Sequence, residues 1–489
     1  MRKAVVSVDF SAPVKGKIKP LHGVNNSPMS LYEPPLGFKE AGIPYCRLHD
    51  TGGAFGGARY VDIPNIFPDF DADPKKPESY DFAFTDAYLK QLHAAGTKIF
   101  YRLGVTIENN YRIKGYHNCP PKDFKKWSEI CAGIVRHYNC GWANGFRYGI
   151  RYWEIWNEPE NPPMWSGTRE QYFELYRITS KRLKKEFPEI KVGGYASCGF
   201  YVQTRESMLK SDFYQSFDSW FHAFLKFVTA KKTACPLDFY SWHLYSLNPE
   251  EIALHGRYVA DQLKKYKLGH VESIFNEWNY VGRGFATMKE AEGACFVAGA
   301  FCLMQDTPVD KAMYYDAYPN RAYCGLYYFP DVRTTRTYSV FRMWNRLFRL
   351  GKRCAASVKN TDDSPYVFVG RPGYSQEKLR TLPDRVYACA AASQEGRALF
   401  LTNCGKDSCR VTLDLNGAKL SDFTGYLVDD GHDREPVALK KEMNLAPFSV
   451  LLLSEKKDEA DGKSLKAKDS SITAGLDDSA SKKKKSRKH

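Results

Sequence analysis

Arg151-Tyr152-Trp153-Glu154-Ile155-Trp156-Asn157-Glu158-Pro159 is the stretch whose reading decides the fold. Tyr152, Trp153, Ile155 and Trp156 make a short apolar run bounded by turn formers, which predicts a buried strand. Pro159 has no backbone donor and stops the ladder. Glu158 therefore stands at the carboxyl end of the strand. In a closed barrel of parallel strands, that is the rim from which catalytic side chains project. A carboxyl group beside Trp156 and a proline has its proton affinity raised by desolvation, which suits a general acid. A single Glu after a strand can equally cap the next helix. Glu154 falls in the other register or inside the barrel and stays outside the catalytic set.

A second copy of the arrangement changes the balance. Val271-Glu272-Ser273-Ile274-Phe275-Asn276-Glu277-Trp278-Asn279-Tyr280 again runs from an apolar strand into Asn-Glu and an aromatic residue. The interval between Glu158 and Glu277 holds roughly three strand-helix repeats of a barrel. Two strand-end carboxylates on one face can converge on one bound group. A pair across a scissile bond is the apparatus of glycoside hydrolysis, one acting as acid/base and the other as nucleophile or base.

Working outward, apolar strands alternate with amphipathic helices from residue 21 to residue 350. Strands are expected at Leu21–Asn26, Ile43–Asp50, Thr97–Gly104, the focal stretch, Ile190–Tyr195, Leu237–Tyr245, Val271–Tyr280 and Lys311–Asp316. Helices are expected at Leu36–Gly42, Phe84–Ala95, Phe124–Tyr138, Tyr172–Phe187, Phe213–Thr229, Ile252–Tyr266 and Ala291–Gln305. Eight such units predict an α/β fold, a closed (β/α)8 TIM barrel. Residues 1–20 alternate apolar and polar and read as an edge strand or two that can join a second domain. The Gly52, Gly53, Gly56, Gly57 cluster lacks a Gly-Lys-Ser/Thr ending, so it reads as a substrate-side loop and not a phosphate loop. Over 351–455 short strands (Tyr366–Val369, Val386–Ala391, Ala398–Thr402, Cys409–Leu415, Thr424–Val428, Ser449–Leu453) predict an accessory antiparallel β-sandwich. Residues 456–489 are rich in Lys, Asp and Ser, end in Lys482–His489, and are expected to be a disordered basic tail.

The formal net charge of +15 raises nucleic-acid binding, but part of that excess is the tail, and no basic stripe interleaves with aromatics in the body. Nucleic acid is not expected as a partner; an oligosaccharide substrate is. Aromatic residues at 15% supply either core or platforms for sugar rings. Trp153, Trp165 and Trp242 read as packing, and a core histidine is the alternative reading of His243. The N-terminus lacks the apolar core of a signal peptide, and no run reaches membrane-helix length, so no membrane is expected. Thirteen cysteines, with no Cys-x-x-Cys, are expected to be reduced thiols of a cytoplasmic protein. No metal-ligand spacing occurs, and neither metal nor cofactor is expected. The oligomeric state is not legible.

Trp153-Glu154-Ile155-Trp156-Asn157-Glu158-Pro159, with Phe275-Asn276-Glu277-Trp278, resembles the retaining glycosidases of clan A. With Asp81-Phe82-Ala83-Phe84-Thr85-Asp86, the likeness is greatest to glycoside hydrolase family thirty-nine, the β-xylosidase and α-L-iduronidase family. The resemblance implies Glu158 as acid/base and Glu277 as nucleophile. It implies Asn157 as the amide holding the hydroxyl next to the reacting carbon. It further implies His49, His243, Tyr245, Trp278 and Tyr315 as substrate-binding residues, Tyr315 standing where β-xylosidases of the family carry Trp. After it, Asp316-Ala317-Tyr318-Pro319-Asn320-Arg321 lacks the Glu-Glu pair those enzymes use for distal hydroxyls. The expectation is a retaining exo-glycosidase acting on a pentoside, turned by that departure from xyloside toward arabinoside. A sugar-binding pseudoenzyme on the same fold is the rival.

Overall fold

The computed structural model describes residues 2–12, 16–28, 37–49, 61–106, 118–162, 164–282 and 284–455. Asp50, the Gly52–Gly57 loop and the 456–489 tail lie outside the described residues. Eight parallel strands close into a barrel: Gly23–Asn25, Tyr45–Leu48, Lys98–Leu103, Tyr152–Ile155, Lys191–Ser197, Phe239–Ser246, Glu272–Tyr280 and Lys311–Tyr314. The eighth returns to the first through Met313 beside Gly23 and Tyr314 beside Val24.

Inward positions alternate with outward ones, as the pleat requires. Tyr45, Phe100, Tyr152, Phe239, Ile274 and Met313 fill the lower barrel as a separate apolar cluster. Two residues further along the same strands come Arg47, Arg102, Glu154, Ser241 and Asn276, all buried. A polar layer thus sits on an apolar plug, directly beneath the carboxyl-end rim.

Helices cover the outside, including Ala83–Ala94, Phe124–Cys140, Arg169–Glu186, Asp212–Thr229, Pro249–Lys265, Ala291–Met304 and Arg336–Leu350. Thr168 starts the third of these with a capping box to Gln171. The helix expected over Leu36–Gly42 is a turn in its described part, 37–42. Gly37 and Gly42 there take φ of 90° and 60°, which an α-helix cannot accommodate.

The sandwich has a four-stranded and a seven-stranded sheet. Arg2–Asp9 is an interior strand, not the expected edge strand: it pairs antiparallel with Ala355–Lys359 and parallel with Cys409–Asn416. Its alternation gave one buried face (Ala4, Val6, Val8) but carries no information on how many neighbours a strand has. Tyr366–Val369 is not a strand. It belongs to a segment that lies on the barrel, where the Val369 N–H donates to Gln203 O at 3.0 Å. The sandwich packs on the last two barrel helices through Trp344 against Phe400 and through Cys295 Sγ, 3.2 Å from Cys404 Sγ. All thirteen cysteines are unpaired.

Candidate active site

The fourth strand ends at Ile155, and the chain then turns sharply. Trp156 and Glu158 take positive φ of 75° and 42°, a conformation that costs an L-residue roughly 1–2 kcal/mol and is held only by its surroundings. Trp156 is held by its N–H to Leu103 O at 2.7 Å and its indole N–H to Met164 O at 2.9 Å. The Glu158 N–H donates to Ala196 O at 3.0 Å, tying the turn to the fifth strand. These bonds aim the Glu158 carboxyl inward over the barrel mouth.

Glu277 reaches the same place by a different device. The seventh strand carries one extra residue at this level: Phe275 pairs with Trp242 but Glu277 with His243. The irregularity recurs on the other side, between Ala312/Phe275 and Tyr314/Trp278. A bulge of this kind re-aims the side chains around it. Asn276 points into the polar layer, Glu277 into the mouth, and Trp278 out of the barrel.

One carboxylate oxygen each of Glu158 and Glu277, with one imidazole nitrogen of His243, lie within 4.8 Å of one another. His243 Nδ1 and Glu158 Oε1 share a hydrogen bond of 2.7 Å, and the same nitrogen is 3.6 Å from Glu277 Oε2. Asn161 Nδ2 donates to Glu158 Oε2 at 3.3 Å. Tyr245 donates its phenol proton to Glu277 Oε1 at 2.7 Å. His49 Nε2 is 3.9 Å from Glu277 Oε2. Tyr315 completes a wall with His49, Tyr245 and Tyr323, its ring 6.2, 6.4 and 5.6 Å from theirs. Seven of the eight residues singled out in the sequence, Asn157 included, thus converge at one mouth. Trp278 does not join them. It is fully buried between Phe275, Phe296, Phe301 and Tyr314, because the pleat turns the neighbour of an inward Glu277 outward.

The residue that sequence reasoning passed over is Arg47. Its fully buried guanidinium donates to Glu154 Oε2 at 2.7 Å, Asn25 Oδ1 at 3.0 Å, Glu277 Oε2 at 3.2 Å and Asn157 Oδ1 at 2.6 Å. Holding the Asn157 oxygen leaves its amide nitrogen, which also donates to Met164 Sδ at 3.8 Å, as the end that can donate to a ligand. The available signal was an arginine in the middle of an otherwise apolar strand, a position where a charge must be paired. Arg47→Met strands the Glu154 and Glu277 carboxylates in the barrel interior. We expect a loss of about 3–5 kcal/mol in urea unfolding; an unchanged midpoint and slope would contradict this role.

Burial raises the proton affinity of both the Glu158 and the Glu277 carboxyl. For Glu158 the hydrogen bonds from Asn161 and Cys198 and the Arg47 charge oppose it; for Glu277 the opposition comes from His243, Arg47 and Tyr245, while the Glu158 charge adds to the rise. The direct guanidinium and phenol contacts belong to Glu277 and favour its ionised form. Burial pushes His243 down to about 4 and holds it neutral. It also pushes the Tyr245 phenol well up, keeping it a donor. Glu158, His243 and Glu277 also form a grouping close enough to grip a cation. The Arg47 guanidinium already provides positive charge against Glu277 there.

Asp316, past the end of the eighth strand, accepts hydrogen bonds from Asn26 Nδ2 and Asn320 Nδ2, each at 3.2 Å. Burial pushes its carboxyl up to about 8. The folded protein therefore holds a proton that the unfolded chain releases near 4, and stability drains away between those two values as pH rises. Asp316→Asn is expected to remove up to about 1.4 kcal/mol per pH unit of that decline. Unfolding curves measured from pH 5 to 8 that run parallel for the two proteins would refute it.

The sequence pattern described as Glycosyl hydrolases family 39 matches residues 62–280, which include both glutamates. A beta-xylosidase of Geobacillus stearothermophilus is 28% identical over 39% of this chain and 37% of its own length. A beta-xylosidase of Caldicellulosiruptor saccharolyticus is 28% identical over 41% of each. The chain thus matches about two fifths of the length of these relatives. In three dimensions, a glucosidase from Croceicoccus marinus superposes with a TM-score of 0.71 at 20% identity, over 92% of this chain and 98% of the other, a likeness of fold. Over residues 62–280 this chain is similar in sequence to the family 39 glycosyl hydrolases.

Proposed function

We propose that the protein is a retaining exo-glycosidase that releases a terminal pentose, an arabinoside or a xyloside, from an oligosaccharide. The observation that carries the proposal is the approach of Glu158 and Glu277, one carboxylate oxygen of each lying within 4.8 Å of the other. Retaining enzymes hold their two carboxyl groups roughly 5–5.5 Å apart, inverting ones roughly 6.5–9.5 Å to admit a water. The likeness to two β-xylosidases supports a pentoside. The absence of a Glu-Glu pair in 316–321 favours arabinoside over xyloside.

Glu277, ionised by its contacts with Arg47 and Tyr245, attacks the anomeric carbon. The C–O bond to the leaving group breaks as Glu158 gives that oxygen its proton, and a glycosyl ester on Glu277 forms. Esterification removes the Glu277 charge from beside Glu158, so Glu158 becomes more acidic. It then takes a proton from water as the water opens the ester. Asn157 offers amide protons to the hydroxyl beside the reacting carbon, and the Tyr245–Tyr315 wall packs against the sugar face.

A panel of nitrophenyl glycosides tests the substrate: α-L-arabinosides, β-D-xyloside, β-D-glucoside and α-L-rhamnoside. Turnover of a pentoside is expected. Turnover of a hexoside or deoxyhexoside alone would reassign the sugar, and binding of sugars without turnover of any would favour a sugar-binding pseudoenzyme.

A further inference from the structure

Tyr245 is the group that donates to Glu277, and its own backbone is held in an unusual way. On one side the sixth strand pairs with the seventh through Tyr245, opposite Asn279. On the other side pairing with the fifth strand ends at Ser197 and Trp242, three residues earlier. The loop that follows the fifth strand takes over there. The Tyr245 N–H donates to Tyr201 Oη at 3.2 Å, and Arg205 Nη2 donates to Tyr245 O at 2.7 Å. The Arg205 guanidinium also stacks on the Tyr201 ring at 4.3 Å, so the two grips are one unit.

Arg205 is itself fixed. Its Nε and Nη2 donate to the two oxygens of Glu251, at 2.9 and 3.0 Å, and Glu251 is 1% exposed. Ser246 and Thr204 hydroxyls donate to the same carboxylate. Thr204 continues the chain of contacts outward. Its carbonyl accepts the Tyr374 phenol proton at 3.0 Å, and that phenol oxygen accepts the Glu206 N–H at 3.1 Å. Tyr374 belongs to the segment between two sandwich strands, Ala355–Lys359 and Val386–Ser393. That segment also accepts the Ser207 N–H on Gln376 and the Asn248 amide on Lys378 O and Thr381 O.

From these contacts we infer that Arg205 is a positioning residue for the reaction, acting through Tyr245 on the nucleophile, with Tyr374 extending its support to the sandwich segment. The inference rests on the glycosidase reading above. A bidentate guanidinium-carboxylate pair is a rigid anchor, and a strand end without a neighbour on one side needs one. Loss of the anchor lets the Tyr245 strand end shift and weakens the phenol-carboxylate bond. Glu277 then holds its proton to higher pH, because that bond favours the ionised form.

The test measures kcat, KM and the pH profile of kcat/KM for Arg205→Lys, Arg205→Met, Tyr374→Phe and Tyr245→Phe, alone and combined. Arg205→Met should lower kcat roughly ten- to a hundredfold, the scale of one hydrogen bond to a charged group, with KM nearly unchanged. The acidic limb should move to higher pH. Arg205→Lys should recover part of the loss, and Tyr374→Phe should show a smaller change in the same direction. In the Tyr245→Phe background the Arg205 and Tyr374 substitutions should cost little more, because the group they position is gone. Additive losses, or a lower melting temperature with kcat and acidic limb unmoved, overturn the inference. If Arg205→Met fails to fold, the Tyr374→Phe and Tyr245→Phe cycle decides by the same criterion. A Tyr245→Phe enzyme with wild-type kcat and limb would instead overturn the reading of the site itself.

Discussion

Glu277→Gly is expected to lose turnover by roughly a million-fold, the scale seen when a covalent nucleophile is removed. The protein should remain folded, because the substitution removes a buried carboxyl whose proton affinity is raised by burial and by Glu158. Arg47 keeps its bonds to Glu154, Asn25 and Asn157. The space vacated next to Tyr245 and His243 admits a small anion. Added azide should restore turnover of an activated aryl glycoside by attacking from the same face as the lost carboxylate. The product would be the glycosyl azide of inverted configuration, since one displacement replaces two. Azide product of retained configuration would show that the roles of the two glutamates are exchanged.

Glu158→Ala should cost about 10²- to 10⁴-fold, the range for general acid-base help, and the loss should depend on the leaving group. Glycosides with poor leaving groups need the proton that Glu158 carries and should suffer fully. Nitrophenolates leave unaided, so with them the first step survives and the glycosyl ester on Glu277 accumulates. Azide then opens the ester in place of base-assisted water and gives the azide of retained configuration. The alkaline limb of the pH profile should vanish with Glu158. A loss equal for good and poor leaving groups, or a persisting alkaline limb, would argue against Glu158 as the acid.

Much of this arrangement was legible because strand periodicity and chemistry coincide at Trp156-Asn157-Glu158 and Phe275-Asn276-Glu277. An apolar run that stops at Pro159 marks a rim, and two such rims with the same side chains mark a shared site. Trp278 was misplaced for a reason of geometry. Asn276 sits in a bulge, and a sequence shows neither the bulge nor which neighbour of Glu277 returns to the outer face. Arg47 and Glu154 were visible as charges within strands, but their partner relation joins residues far apart in the chain and across the barrel lumen. The hold of Arg205 on Tyr245 was invisible for a similar cause. It depends on where the fifth strand stops pairing, and Arg205 stands in a loop with no periodicity. The interior position of Arg2–Asp9 likewise reflects long-range pairing with residues 355–359 and 409–416.

The separation of the carboxyl groups leads to a stereochemical consequence that does not depend on which sugar is bound. Proton NMR of the first-formed product, recorded before mutarotation with any glycoside the wild-type enzyme turns over, reads it directly. The released sugar should carry the anomeric configuration of the substrate. A first-formed product of opposite configuration would contradict direct attack by Glu277 and, with it, the assignment of the pair.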